Sequence, residues 1–150
     1  MRQWIRDSSG QYNSKSRELG HKIETLINEF IQSKLKQELG ERNWWKDGIS
    51  KDIQKQCASK KIDLGTDEPD WHFLSTIHYH KIIMDNWNLL GNYFTPHGLE
   101  NSGKEKRLDW IKKFNLVRQK YSHPQRENTT ETEYNFLDNT YDWLITKLSN

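Results

Sequence analysis

A chain of 150 residues fits one domain and is long enough to bury a core, and its 18 aromatic residues, seven of them tryptophan, supply much of that core. Hydrophobic residues are only 33% of the chain and mean hydropathy is −1.07, so the apolar side chains must be concentrated on narrow helical stripes, which suits a small helical bundle. A formal charge of +2, from 23 basic and 21 acidic residues, excludes a strong overall field for a polyanion, and any nucleic-acid contact has to come from local patches.

Residues 1–12 show no sustained period, and Asp7-Ser-Ser-Gly10 reads as a turn, so a loose N-terminal segment is expected ahead of a helical domain over 13–150. Trp4 and Ile5 are apolar enough to dock on it. The abrupt start is compatible with a domain excised from a longer protein. From Ser14 onward, Leu19, Ile23, Leu26, Ile27, Phe30, Ile31 and Leu35 recur at helical spacing as far as Gly40, which predicts a first long helix.

Arg42-Asn-Trp-Trp45 should be a loop whose Trp44 and Trp45 plug the core rather than stack on bases. Ser50 is placed to cap a short helix carrying Ile53 and Cys57, with Lys51, Lys55, Lys60 and Lys61 on its solvated face. The single cysteine excludes an internal disulfide and a cysteine-rich metal site. No signal peptide and no apolar run of about 18 residues is present, so a soluble, cytoplasmic protein without membrane contact is expected.

Gly65-Thr-Asp-Glu-Pro69 reads as a loop, and Tyr79, Ile83, Trp87, Leu90 and Phe94 predict the next helix as one continuous stripe. His78 and His80, two residues apart on it, would point about 200° away from each other and cannot chelate one metal there. No metal or other cofactor is expected. Thr95-Pro-His-Gly98 and Asn101-Ser-Gly-Lys104 should form a surface connection.

Leu108, Ile111, Phe114, Val117 and Tyr121 then define a helix buried along one stripe. Pro124 disfavours the α conformation at His123, so this helix should stop near Ser122 and leave the histidine on its unwinding last turn, where the ring can swing toward Arg118. An Arg-x4-His pair is weak evidence by itself. An arginine in a last turn also complements the helix dipole, and a terminal histidine can bond free carbonyls. Thr130-Glu-Thr-Glu133 is a capping box for a closing helix with Tyr134, Leu137, Tyr141, Leu144, Ile145 and Leu148 on its apolar face. The expected fold is all-α, an up-and-down bundle of four main helices plus a short one.

The segment Arg118-Gln-Lys-Tyr-Ser-His123-Pro, preceded by an apolar helix and followed by a turn and one last helix, resembles the signature of the HEPN superfamily (higher eukaryotes and prokaryotes nucleotide-binding). The succession of Arg42-Asn-Trp-Trp-Lys-Asp-Gly-Ile-Ser50, Tyr79-His-Lys-Ile-Ile-Met-Asp-Asn-Trp87 and Trp110 through Pro124 looks like the subtype named after the "synthetic with TREX" nuclease. The likeness runs from about Asn13 onward. One departure is Gln119, where the family commonly has Asn, Asp or His.

The resemblance implies metal-independent cleavage of RNA, with Arg118 and His123 as the catalytic pair. An imidazole, whose reference pKa is near 6.5, can take the ribose 2′-OH proton or give one to the leaving 5′-oxygen. Arg118 would hold the scissile phosphate through paired hydrogen bonds. The products would be a 2′,3′-cyclic phosphate and a 5′-hydroxyl, and DNA, which lacks the attacking hydroxyl, would be spared.

Asn115, Gln119 and Ser122 are candidate supporting residues, and Lys120 and Arg126 candidate RNA-backbone contacts, with ordinary surface roles as the bland alternative. Tyr121 reads as a core or dimer contact rather than a catalyst. One histidine cannot easily be acid and base in a single step. The resemblance therefore implies a symmetric homodimer whose face includes this helix.

Two alternatives stand beside the enzyme. Gln119 and the modest charge favour a non-catalytic module for dimerisation or for RNA or nucleotide binding in a larger defence or RNA-processing protein. The third reading, from the same resemblance, is a toxin silenced by a nucleotidyltransferase-like antitoxin.

Overall fold

The computed structural model describes residues 2–149, with side-chain surroundings from Gln11 onward; Trp4 and Ile5 lie outside the latter range. The protein is all-α, with no strand among the described residues. Its helices are α1 (Arg2–Leu39), α2 (Trp44–Gly48), α3 (Lys51–Leu64), α4 (Thr76–Asp85), α5 (Trp87–Leu90), α6 (Lys104–Arg107), α7 (Asp109–Ser122) and α8 (Glu131–Leu148), with 3-10 turns at Asp70–Phe73 and Gly91–Phe94. No helix among the described residues is long and apolar enough to cross a membrane.

The chain divides into two compact units, 1–26 with 109–150 and 27–108, a division absent from the sequence reading of 13–150 as one domain. Helix α1 contributes to both. It is also longer than its stripe predicts, since residues 2–12, expected as a loose segment, are helical.

In the unit formed by 1–26 and 109–150, Leu19, Ile23, Ile111, Phe114, Val117, Tyr121, Leu137 and Leu144 are buried, as the helical periods predict, whereas Ile145, assigned to the same apolar face of the closing helix, is exposed. Trp110 meets Trp143 edge to face with ring centroids 5.1 Å apart, and Tyr12 tilts against Tyr134 at 6.0 Å. The α8 capping box forms as its sequence predicts: Glu133 N–H donates to Thr130 Oγ1 at 3.1 Å and Thr130 N–H donates to Glu133 Oε1 at 2.9 Å. The Tyr121 ring packs where a side chain on Gly20 would have to sit, so glycine is what lets α1 carry that contact.

In the unit 27–108, Trp44 is 2% exposed and makes edge-on contacts with Trp45 and Trp71, consistent with the plugging role expected of the first two. Ser50 caps α3 by accepting from Ile53 N–H at 3.4 Å, and Gly65 closes it with a left-handed φ of 61°. That helix spans 14 residues and is a main element, not the short one expected.

The stripe from Tyr79 to Phe94, expected as one helix, breaks at Asn86. Its side-chain Nδ2 donates to the carbonyls of Ile82 and Gly48, each at 2.9 Å, while its backbone leaves the helical region with φ −118° and ψ 40°. An asparagine that bonds nearby carbonyls gives the backbone an alternative to another helical turn. Gly91 then admits the Trp87 ring, whose face also receives Arg107 at 4.9 Å.

Candidate functional site

Helix α7 exists because a stripe of Trp110, Ile111, Phe114, Val117 and Tyr121 is buried, and it stops where Pro124 requires. His123 N–H still donates to the carbonyls of Gln119 at 3.0 Å and Lys120 at 3.2 Å, so the residue stays attached to the last turn. Its side chain is exposed, and the chain reverses at once, with Arg126 N–H donating to the His123 carbonyl at 3.0 Å.

A cavity of about 620 Å³ opens at this end of the helix, lined by Leu116, Gln119, Lys120, His123, Arg126, Glu127 and Glu133. Four of the sequence-selected residues, Gln119, Lys120, His123 and Arg126, are therefore brought together. Leu116, 62% exposed, gives the cavity an apolar wall that the sequence reading did not single out. Arg118 does not line it. Its guanidinium turns toward α1, where Nε donates to Glu24 Oε1 at 2.8 Å.

The surroundings of Arg118 are the largest addition to the sequence reading. Arg17, on the same side of α1, donates through Nη2 to the Tyr121 carbonyl at 3.0 Å, and Glu24 Oε2 lies 3.7 Å from His21 Nδ1. Glu24 is 16% exposed and Arg118 33%, so the pair is sheltered from water and fixes the guanidinium plane. Nε is occupied by Glu24, and the Nη groups carry the remaining donors of the fork. Burial pushes the Tyr121 phenol well above its ordinary pKa, with the Glu24 carboxylate adding to the effect and Arg118 opposing it. A phenol held neutral in this way is a packing group, in line with the role expected of Tyr121.

Lys120 is committed as well. Its ammonium lies 2.8 Å from Glu133 Oε2 and 3.2 Å from Glu127 Oε1, and the Glu133 hydrogen bond holds the lysine pKa above its usual value. Burial alone would raise the Glu133 carboxyl, but Lys120 and the two Thr130 contacts outweigh it and hold that group below its usual range. The connection that carries His123 and Arg126 is thus tied to α7 by Lys120. Asn13 ties its far end: Oδ1 accepts from Thr129 N–H at 2.6 Å and Nδ2 donates to Asn128 Oδ1 at 2.7 Å. Of the remaining candidates, Asn115 is half-buried and Ser122 is exposed at the helix end.

Compared with protein-family models, curated proteins and solved structures, the chain matches none. The HEPN likeness accordingly rests on the sequence alone, on Arg42–Ser50, Tyr79–Trp87 and Trp110–Pro124. The sequence signal for the partners on α1 is a polar row, Arg17, His21 and Glu24, at helical spacing beside the apolar stripe of Leu19 and Ile23. What such a row faces becomes visible only when the helices pack. Among the described residues, no group of three His, Cys, Asp or Glu side chains is arranged to hold a metal ion. His78 is buried, with Nδ1 accepting from Ser75 N–H at 3.1 Å and Nε2 3.0 Å from Gln56 Oε1, while His80 Nε2 lies 3.2 Å from Glu105 Oε2.

Proposed function

We propose that the chain is a metal-independent endoribonuclease of HEPN type, acting at the α7 terminus. The observation that carries this reading is an exposed histidine, His123, held by backbone bonds at a helix end and opening into a cavity it shares with Gln119, Lys120 and Arg126, with Arg118 about one turn earlier on the same helix. His123 serves as the general base on a ribose 2′-OH, and Arg118, once its guanidinium turns from Glu24 toward the His123 cavity, holds the phosphate as negative charge builds on it. Gln119 and Arg126 line the approach for the RNA backbone, whereas Lys120 acts mainly in shaping the loop, its charge being shared with two glutamates.

One imidazole cannot remove one proton and donate another in the same step. The resemblance supplies the second from a partner protomer. A homodimer would cover Leu116, a large apolar side chain left exposed on the face that carries Gln119 and His123.

The test is cleavage of end-labelled single-stranded RNA in EDTA by the purified chain, beside folded Arg118→Ala and His123→Ala variants. Cleavage to cyclic-phosphate and 5′-hydroxyl ends, lost in both variants, is the expected result. The same helix ends carry a second reading, an RNA-binding or dimerisation module, and one observation favours it: Arg118 and Lys120 already face protein carboxylates. Undiminished RNA binding without any cleavage would replace the enzyme by that module.

A further inference from the structure

Among the described residues, no protein group bonds the imidazole of His123, so its place at the cavity is set by the backbone that carries it. That backbone is held on both sides by one face of α1. We propose that Asn13 and Arg17 are positioning residues of the site, which hold the segment 121–129 so that His123 keeps its place at the cavity. The assignment rests on the ribonuclease reading and deepens it.

The first hold follows from Pro124. A helix that ends there leaves carbonyls of its last turn without the amide partners that a further turn would supply. Arg17 takes one of them, with Nη2 donating to the Tyr121 carbonyl at 3.0 Å and Nε at 3.3 Å, just before His123. The second hold lies on the far side of the histidine. There Asn13 Oδ1 accepts from Thr129 N–H at 2.6 Å and from Thr129 Oγ1 at 2.9 Å, while Nδ2 donates to Asn128 Oδ1 at 2.7 Å. Thr129 is 3% exposed, so these bonds are shielded from water. Asn13 and Arg17 stand four residues apart on α1, the spacing that puts two side chains on one face.

Between the two holds run His123, Arg126 and Glu127, all of which line the cavity. The one tie within this span from a side chain of α7 is Lys120 to Glu127 at 3.2 Å, and Glu127 is 66% exposed, so that pair contributes little. The firmer hold comes from α1. A general base works only within hydrogen-bond reach of the hydroxyl it deprotonates, and a displacement of about 1 Å can cost roughly 10²-fold in rate. Bonds from side chains to backbone also stabilise a fold. That role alone would change how many chains are folded without changing what a folded chain does.

The experiment measures kcat and KM for cleavage of a single-stranded RNA by the full chain and by Asn13→Ala, Arg17→Ala, Asn13→Asp and Arg17→Lys variants, at a temperature where urea unfolding shows every variant to be folded. Each alanine variant is expected to lose about 10-fold or more in kcat, with KM changed by less than about threefold. Asn13→Asp keeps the acceptor that Thr129 uses, and Arg17→Lys keeps a cationic donor for the Tyr121 carbonyl, so both should recover most of the rate. Parental kcat in the alanine variants, a change confined to KM, or a loss that the conservative variants share overturns the assignment while leaving a His123-dependent ribonuclease standing. If the parent cuts no RNA, the ribonuclease reading falls and the positioning role falls with it.

Discussion

The two compact units use the same side-chain chemistry to opposite ends. In 27–108 two titratable groups are enclosed, although His97 of the same unit is fully exposed: His78 has both ring nitrogens engaged, by Ser75 N–H and Gln56, and Cys57 is 1% exposed with its thiol raised to about 11 by burial, aided by Asp70 and opposed by Lys60. In 1–26 with 109–150 the Glu24 and Glu133 carboxylates are the sheltered partners and the imidazoles of His21 and His123 remain exposed. A histidine with both nitrogens committed helps hold a fold, and one with a nitrogen left over is available for chemistry. The contrast lies in the neighbours, since the residue type is the same.

The largest expected effect tests that contrast at the exposed end. His123→Ala should lower RNA cleavage by about 10²- to 10⁴-fold while leaving the denaturant midpoint unchanged; a fall in stability with activity retained would give His123 a structural role and break the comparison. In the enclosed unit, Trp44→Ala should cost about 3–5 kcal/mol in urea unfolding, because a side chain 2% exposed leaves a large void. Gly20→Ala should cost about 1–3 kcal/mol by overpacking against Tyr121, read as a lower urea midpoint.

Two smaller effects sharpen the picture of the enclosed unit. Burial, with Lys60 adding to it, lowers the His78 pKa from its usual 6.5. Above that pH both the folded and unfolded forms are neutral and the contribution of His78 is fully present. As pH falls through 6.5 the unfolded chain binds the proton first, so stability is lost on acidification, with a slope from this group of at most about 1.4 kcal/mol per pH unit. His78→Gln should flatten that part of a thermal-stability profile measured between pH 7.5 and 5. The Cys57 thiol should react slowly with a disulfide reagent at pH 8 in the native protein and rapidly in denaturant, an absorbance measurement whose two rates would converge if the site opened readily.

Much of the helical framework was legible because its signals are local. The Leu19-to-Leu35 stripe, the Ser50 cap, the Thr130–Glu133 capping box and the stop imposed by Pro124 each involve residues within a few positions of one another. The break at Asn86 was not legible, since one of the two carbonyls its side chain bonds belongs to Gly48, and no local rule brings that carbonyl near. The site divides along the same line. Arg118 and His123 stand out from spacing and a proline, whereas Glu24 meets Arg118 across 94 positions of sequence and carries no mark of that contact beyond its place in a polar row. The turning of Arg118 away from the cavity that His123 lines likewise follows from Glu24.

The bond from Arg17 to the Tyr121 carbonyl closes a span of 104 positions, and the unit that carries it takes residues from 1–26 and from 109–150. A ribosome making this chain emits all of 27–108 before it begins α7. The contacts of 27–108 can therefore form while the first part of α1 still lacks the partners that will orient its polar row. The entropic cost of joining distant segments falls on the unit that holds Arg118 and His123, which makes it the slower of the two to fold and the later to appear during synthesis.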